Sequence, residues 1–123
     1  MKKNETVVIL GASDKPDRYA YLAFEGLKNR GYRVLPVHPT LKMIGDTPVF
    51  ASLTDIKETV HTITLYIGPE RSSAISKEIL GLSPKRIIFN PGAENKALLI
   101  AAQKVGIEAL DACTLVMLTI NTF

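Results

Sequence analysis

The sequence predicts an α/β domain built on an open, mainly parallel sheet. Three observations carry that prediction. Short, continuous, branched apolar runs recur along the chain. Stretches with helical apolar spacing follow several of them. The connections between are short and rich in turn residues, so strands and helices alternate as they do in a sheet covered on both faces. The 123 residues suffice for one domain, and residues 1–123 are read as a single unit without linker or repeat.

The elements follow in order. Val7, Val8, Ile9 and Leu10 form a continuous apolar run and read as a fully buried strand. Residues 11–17 are a loop of turn and cap residues. A helix is expected over residues 18–30, with Ala20, Ala23, Phe24 and Leu27 on one face, Asp17 as its N-cap and Gly31 just past its end. Residues 33–37 are the second strand. Pro36 cannot donate to a ladder, so it must sit late in the strand or on an open side.

The stretch 38–60 is broken by Pro39, Gly45 and Pro48. Val49 and Phe50 are expected as a short strand, followed by a helical turn capped by Ser52. Residues 62–67 alternate, with Ile63, Leu65 and Ile67 on one face and Thr62, Thr64 and Tyr66 on the other. Gly68, Pro69 and Glu70 open a helix that ends at Gly81 and shows Ile75, Ile79 and Leu82 on one side. Residues 86–89 are a strand and residues 90–93 a turn. Residues 94–105 are a helix with Ala97, Ile100, Ala101 and Lys104 on one side, and residues 107–110 are the last clear strand. The tail, residues 113–123, is apolar and fits a helix or a strand. It must cover itself against this chain or a partner, which makes a homodimer one expectation.

Right-handed crossovers turn this order into a Rossmann-like three-layer sandwich with strand order 3-2-1-4-5-6 and a short strand 3 near Val49. Ligands of such sheets bind beyond the carboxyl ends of the strands, beside strand 1. Four loops lie there, at residues 11–18, 37–42, 67–71 and 90–94.

The first loop joins a buried strand to a helix N-terminus, where backbone N–H groups can hold an anion. Gly11 lets backbone approach a ligand, and Ser13 adds a hydroxyl. The run Gly11 to Pro16 is neither a dinucleotide glycine fingerprint nor a Walker A motif. A site for NAD places an acid at the end of strand 2, where this chain has Val37, His38 and Pro39; its next acid is Asp46. Lys42 and Arg18 suit a phosphate instead. Two histidines and one cysteine give little support for a metal, and no nucleophile–base set stands at recognisable spacing, so no catalytic residue is assigned. Cys113 is expected as a small core thiol.

A net charge of +3 is too mild to argue for nucleic acid and suits an anionic small molecule. No apolar run approaches a membrane span, and the basic start is followed by too few apolar residues for a signal peptide. The lone cysteine rules out an intramolecular disulfide framework, so the expected location is the cytoplasm.

Several segments together resemble a known family. V-V-I-L-G-A-S-D-K-P, G-Y-R-V-L-P-V-H-P, I-G-D-T-P-V-F-A-S-L-T-D-I, I-G-P-E-R, N-P-G-A-E-N and V-G-I-E-A-L-D-A-C, in that order, resemble the small bacterial stand-alone CoA-binding domain proteins. The same domain is similar to the CoA-holding part of the succinyl-CoA synthetase alpha subunit. The resemblance implies coenzyme A or acyl-CoA as ligand, without intrinsic catalysis. It implies that Gly11, Ala12 and Ser13 meet the phosphates, with Arg18 at the opening of the first helix. Val37, His38 and Pro39 would wall the adenine and ribose, His38 standing where the family usually has Asn, and Lys42 would lie near the phosphates. Ile67, Gly68 and Pro69 would border the cleft, and Asn90, Pro91 and Gly92 would form the next loop of the site. The alternatives are an NAD(P)- or other nucleotide-binding Rossmann module, and a subunit of an acyl-CoA ligase or transferase that needs a partner.

Overall fold

The branched apolar runs become parallel strands. A computed structural model describes residues 5–123; the basic start at residues 1–4 lies outside the described residues. In chain order the elements are β1 (Thr6–Leu10), α1 (Tyr19–Asn29), β2 (Arg33–Val37), β3 (Met43–Ile44), β4 (Thr47–Pro48) and a 3-10 turn (Leu53–Asp55). Then come β5 (Thr62–Leu65), α2 (Pro69–Ala74), α3 (Ser76–Gly81), β6 (Arg86–Phe89), α4 (Lys96–Lys104), β7 (Glu108–Asp111) and α5 (Thr114–Thr119). Among the described residues the sheet runs β2-β1-β5-β6-β7, parallel throughout, with Val8 opposite Leu35 on one side and Ile63 on the other.

Alternation along the strands sorts the core into two layers. Val8, Leu35, Ile63, Leu65, Ile87 and Phe89 face the side closed by the 3-10 turn, α3 and α4. Val7, Ile9, Val34 and Ile88 face the side closed by Phe24 and Leu27 of α1 and by Met117 and Leu118 of α5. The expected face of α1 is the buried one. The expected face of α4 is not: the helix buries Leu98 and Ala102 and leaves Ile100 40% exposed. Its rotation is set by its cap. Asn95 accepts a hydrogen bond from Leu98 N–H at 3.1 Å and donates through Nδ2 to Pro69 O, Ser72 Oγ and Ser73 Oγ. The capping role expected of Asp17 falls to Arg18, whose side chain makes no cap.

The expected third strand shrinks to one bridge, Val37 to Phe50. Gly45 and Asp46 instead turn a two-stranded hairpin, β3 with β4, which delivers Phe50 to the edge of β2. Phe50 N–H donates to Pro36 O at 2.9 Å. Within a strand, a residue's C=O and its amide nitrogen point to the same side. The nitrogen of Pro36 therefore faces this open edge, and the ladder to β1 loses no donor. The single helix expected from Pro69 to Gly81 breaks at Ile75 into α2 and α3. Ser72 and Ser73, whose hydroxyls Asn95 engages, sit just before the break.

The tail is a helix. Leu118 lies against Gly26 of α1, where an added Cβ would come within 3.1 Å of its Cδ1, and Arg30 Nη2 donates to Leu118 O at 3.2 Å. At the far end, Phe123 sits under the buried guanidinium of Arg86, 4.5 Å from ring centre to Cζ, and edge-on to Tyr32.

Between the sheet and α5 lies a closed polar clamp. Asn90 Nδ2 donates to Thr64 Oγ1 at 2.6 Å and to Leu65 O at 2.8 Å, while Thr114 N–H donates to Asn90 Oδ1 at 2.9 Å. Thr64 Oγ1 and Thr114 Oγ1 share a further hydrogen bond at 2.7 Å. Replacing Asn90 by Ala strands these buried groups and is expected to destabilise the fold by about 2–3 kcal/mol. Urea denaturation measures it; a change below about 0.5 kcal/mol would show that the clamp is not structural.

Candidate functional site

The site forms where β1, β2 and β5 end. Gly11 leaves β1 with φ +93° and passes so close to the chain leaving β5 that a Cβ would stand 2.8 Å from Ile67 Cγ2 and 3.1 Å from the Tyr66 carbonyl carbon. A side chain here meets both a positive φ and a steric barrier. The amides of Gly11 and Ala12 both donate to Val37 O, at 3.2 and 3.1 Å. These two N–H groups therefore close the sheet and are not presented to a ligand. Lys15 N–H turns back onto Ser13 Oγ at 3.1 Å, which shapes the rest of the loop.

Two clefts open from this junction, and they share Gly11 and Arg71. One, of about 330 Å³, is mainly apolar: Leu10, Val37, Pro39, Leu53, Ile67 and Ile75 line it together with Ser52 and Glu78. The other, of about 340 Å³, is polar, and Ala12, Ser13, Arg18, Tyr19, His38 and Tyr66 line it. Arg18 and Arg71 are exposed and enter none of the ion pairs among the described residues. By contrast, Lys28 pairs with Asp46 and Arg33 with Glu58. A cleft bearing two cations without acidic partners attracts anions. His38 is fixed in it: Thr40 N–H and Leu41 N–H donate to its Nδ1 at 3.1 and 3.0 Å.

Gly11, Ala12, Ser13, Arg18, Val37, His38, Pro39 and Ile67 thus come together at the two clefts. Lys42, Gly68, Pro69, Asn90, Pro91 and Gly92 lie outside both linings. Lys42 is exposed ahead of the hairpin, Pro69 begins α2, and Pro91 and Gly92 form an exposed turn. Asn90 is buried, with its amide spent on the clamp.

A family model described as a CoA binding domain matches residues 5–119. The chain belongs to that family. It is also similar to the crystal structure of an uncharacterized protein, with 42% identity, a TM-score of 0.91 and 98% of each chain covered. The uncharacterized protein YneT of Bacillus subtilis (strain 168) is 22% identical over 80 residues. That match takes in 65% of this chain and spans 59% of YneT. A dinucleotide-forming acetyl-coenzyme A synthetase of Ca. Korarchaeum cryptofilum, solved with phosphate and ADP, has the same fold over 89% of this chain and 26% of its own. Its TM-score is 0.74 and its identity 16%.

Arg71 is the main lining residue of these clefts that sequence reasoning did not single out. Its signal was present, as the cation that ends the 67–71 loop and the I-G-P-E-R segment. Tyr66 was read only as part of a less apolar strand face. Its phenol is driven up to about 12, chiefly by burial, while hydrogen bonds to Thr114 and Thr64 oppose the rise and Cys113 adds to it. Cys113, expected in the core, is half-buried at the start of α5.

The Tyr66 shift has a definite sign. Unfolded chains release the phenol hydrogen near 10 and the folded one near 12, so the native state binds more protons in between. Stability is expected to fall as pH rises through that window, by about 2–3 kcal/mol from this residue alone. Tyr66→Phe should remove that part of the alkaline loss; denaturation at about pH 9 and about pH 12 measures the difference, and equal losses in both proteins would refute it.

Proposed function

We propose that this chain binds coenzyme A or acyl-CoA as a binding module and does no chemistry of its own. The observation that carries the reading is the pairing of an anion-attracting cleft with an apolar one across a shared Gly11 and Arg71. CoA has the matching shape: a diphosphate joins an adenosine 3′-phosphate to a long, weakly polar pantetheine arm. Arg18, Arg71 and Ser13 would hold phosphate oxygens through charge-assisted hydrogen bonds, and the apolar cleft would take the adenine. Family membership supports the ligand class. His38 in the place of an acid at the end of β2 favours CoA over NAD.

The likeness of fold to an acetyl-coenzyme A synthetase supports a second reading, a subunit that serves an acyl-CoA ligase assembled with a partner. Co-purification from cells with an ATP-binding ligase subunit would favour it.

Calorimetry with CoA, NAD and ATP tests the leading reading. CoA is expected to bind and to weaken with added salt, because both arginines are exposed and their attraction is screened. Arg18→Ala and Arg71→Ala should each weaken CoA by about tenfold. No heat and no thermal shift at saturating CoA would sink the reading, and NAD binding alone would replace it.

A further inference from the structure

We propose that His38 reads a ligand phosphate as a fixed, directional donor, its imidazole locked with the hydrogen on Nε2. The ring is held by its own loop. Nδ1 has one in-plane lone pair, and both Thr40 N–H and Leu41 N–H point at it, at 3.1 and 3.0 Å. Thr40 Oγ1 stands 3.4 Å from the same atom. A hydrogen on Nδ1 would face two N–H groups, so Nδ1 is the acceptor and Nε2 carries the hydrogen. With Nδ1 turned to the loop, Nε2 is the ring nitrogen left for the polar cleft that His38 lines with Ser13, Arg18 and Arg71.

The chemistry of that cleft defines what the donor reads. An N–H needs an acceptor, and beside two cations the fitting acceptor is an anionic oxygen. Arg18 and Arg71 are exposed side chains with many rotamers; they attract charge without setting its position. The imidazole has two torsions, and its loop bonds hold the ring. It therefore sets where the oxygen must lie. The phosphate concerned is the one beside the β1–α1 loop, next to Ser13.

The identity of the ligand rests on the CoA reading above, whereas the ring geometry does not. Long-range proton–nitrogen correlation spectra of protein labelled with ¹⁵N-histidine test both parts, with His38→Asn identifying the His38 signals. In the free protein the hydrogen is expected on Nε2. Saturating CoA, ADP or inorganic phosphate should shift the Nε2–H resonance. His38→Asn keeps an acceptor for the loop but carries a shorter donor, so it should melt like the wild type and bind CoA about tenfold more weakly. A hydrogen on Nδ1, an Nε2 resonance moved by none of the three probes, or wild-type CoA affinity in His38→Asn would overturn the proposal. If CoA alone fails while ADP or phosphate moves Nε2–H, the CoA reading falls and the His38 assignment stands.

Discussion

Everything at the ligand end of this molecule depends on one crossing point. The chain leaves β1 through Gly11 with a positive φ, pressed against the backbone of Tyr66 just past β5, and donates twice to the last carbonyl of β2. Three strand ends are thereby tied within a few ångströms of one another. A side chain at this position would push β1 and β5 apart. The glycine is needed for packing before it is needed for any ligand, and that separates this loop from one whose amides hold phosphate directly. Here the first two amides complete the sheet, and polar side chains just beyond it line the cleft.

The rest of the fold supplies stiffness beneath that point. The Asn90 clamp fastens β5 and β6 to the start of α5, and it does so on the α1 side of the sheet, under the polar cleft. Tyr66 adds its phenol to the same region and lines the cleft. A polar network this enclosed stabilises only when all of its members are satisfied, and the pairs at 2.6–2.9 Å show that they are. At the opposite end, Phe123 on Arg86 closes the α1–α5 layer.

The sequence made the sheet legible because buried parallel strands announce themselves as unbroken branched runs, and α1 because its apolar residues repeat at one helical period. The β3–β4 hairpin was missed because its strands have two residues each and carry no period to read. The face of α4 was misjudged because all of residues 97–102 are apolar, which lets several faces qualify; the cap at Asn95, a contact between distant segments, decides among them. The loops that meet at the site followed from topology. The split between cleft-lining and buried side chains did not, since Asn90 and His38 are both polar residues just past a strand, and only their surroundings distinguish them.

Arg71 stands on different ground from the other residues of the cleft. Leu10 and Val37, in the apolar cleft, are the last residues of two paired strands. Arg71 is carried by α2, a six-residue helix severed from its continuation at Ile75 and held laterally by the side chain of Asn95. The clefts thus draw their lining both from the sheet ends and from a short separate helix pinned by one side chain.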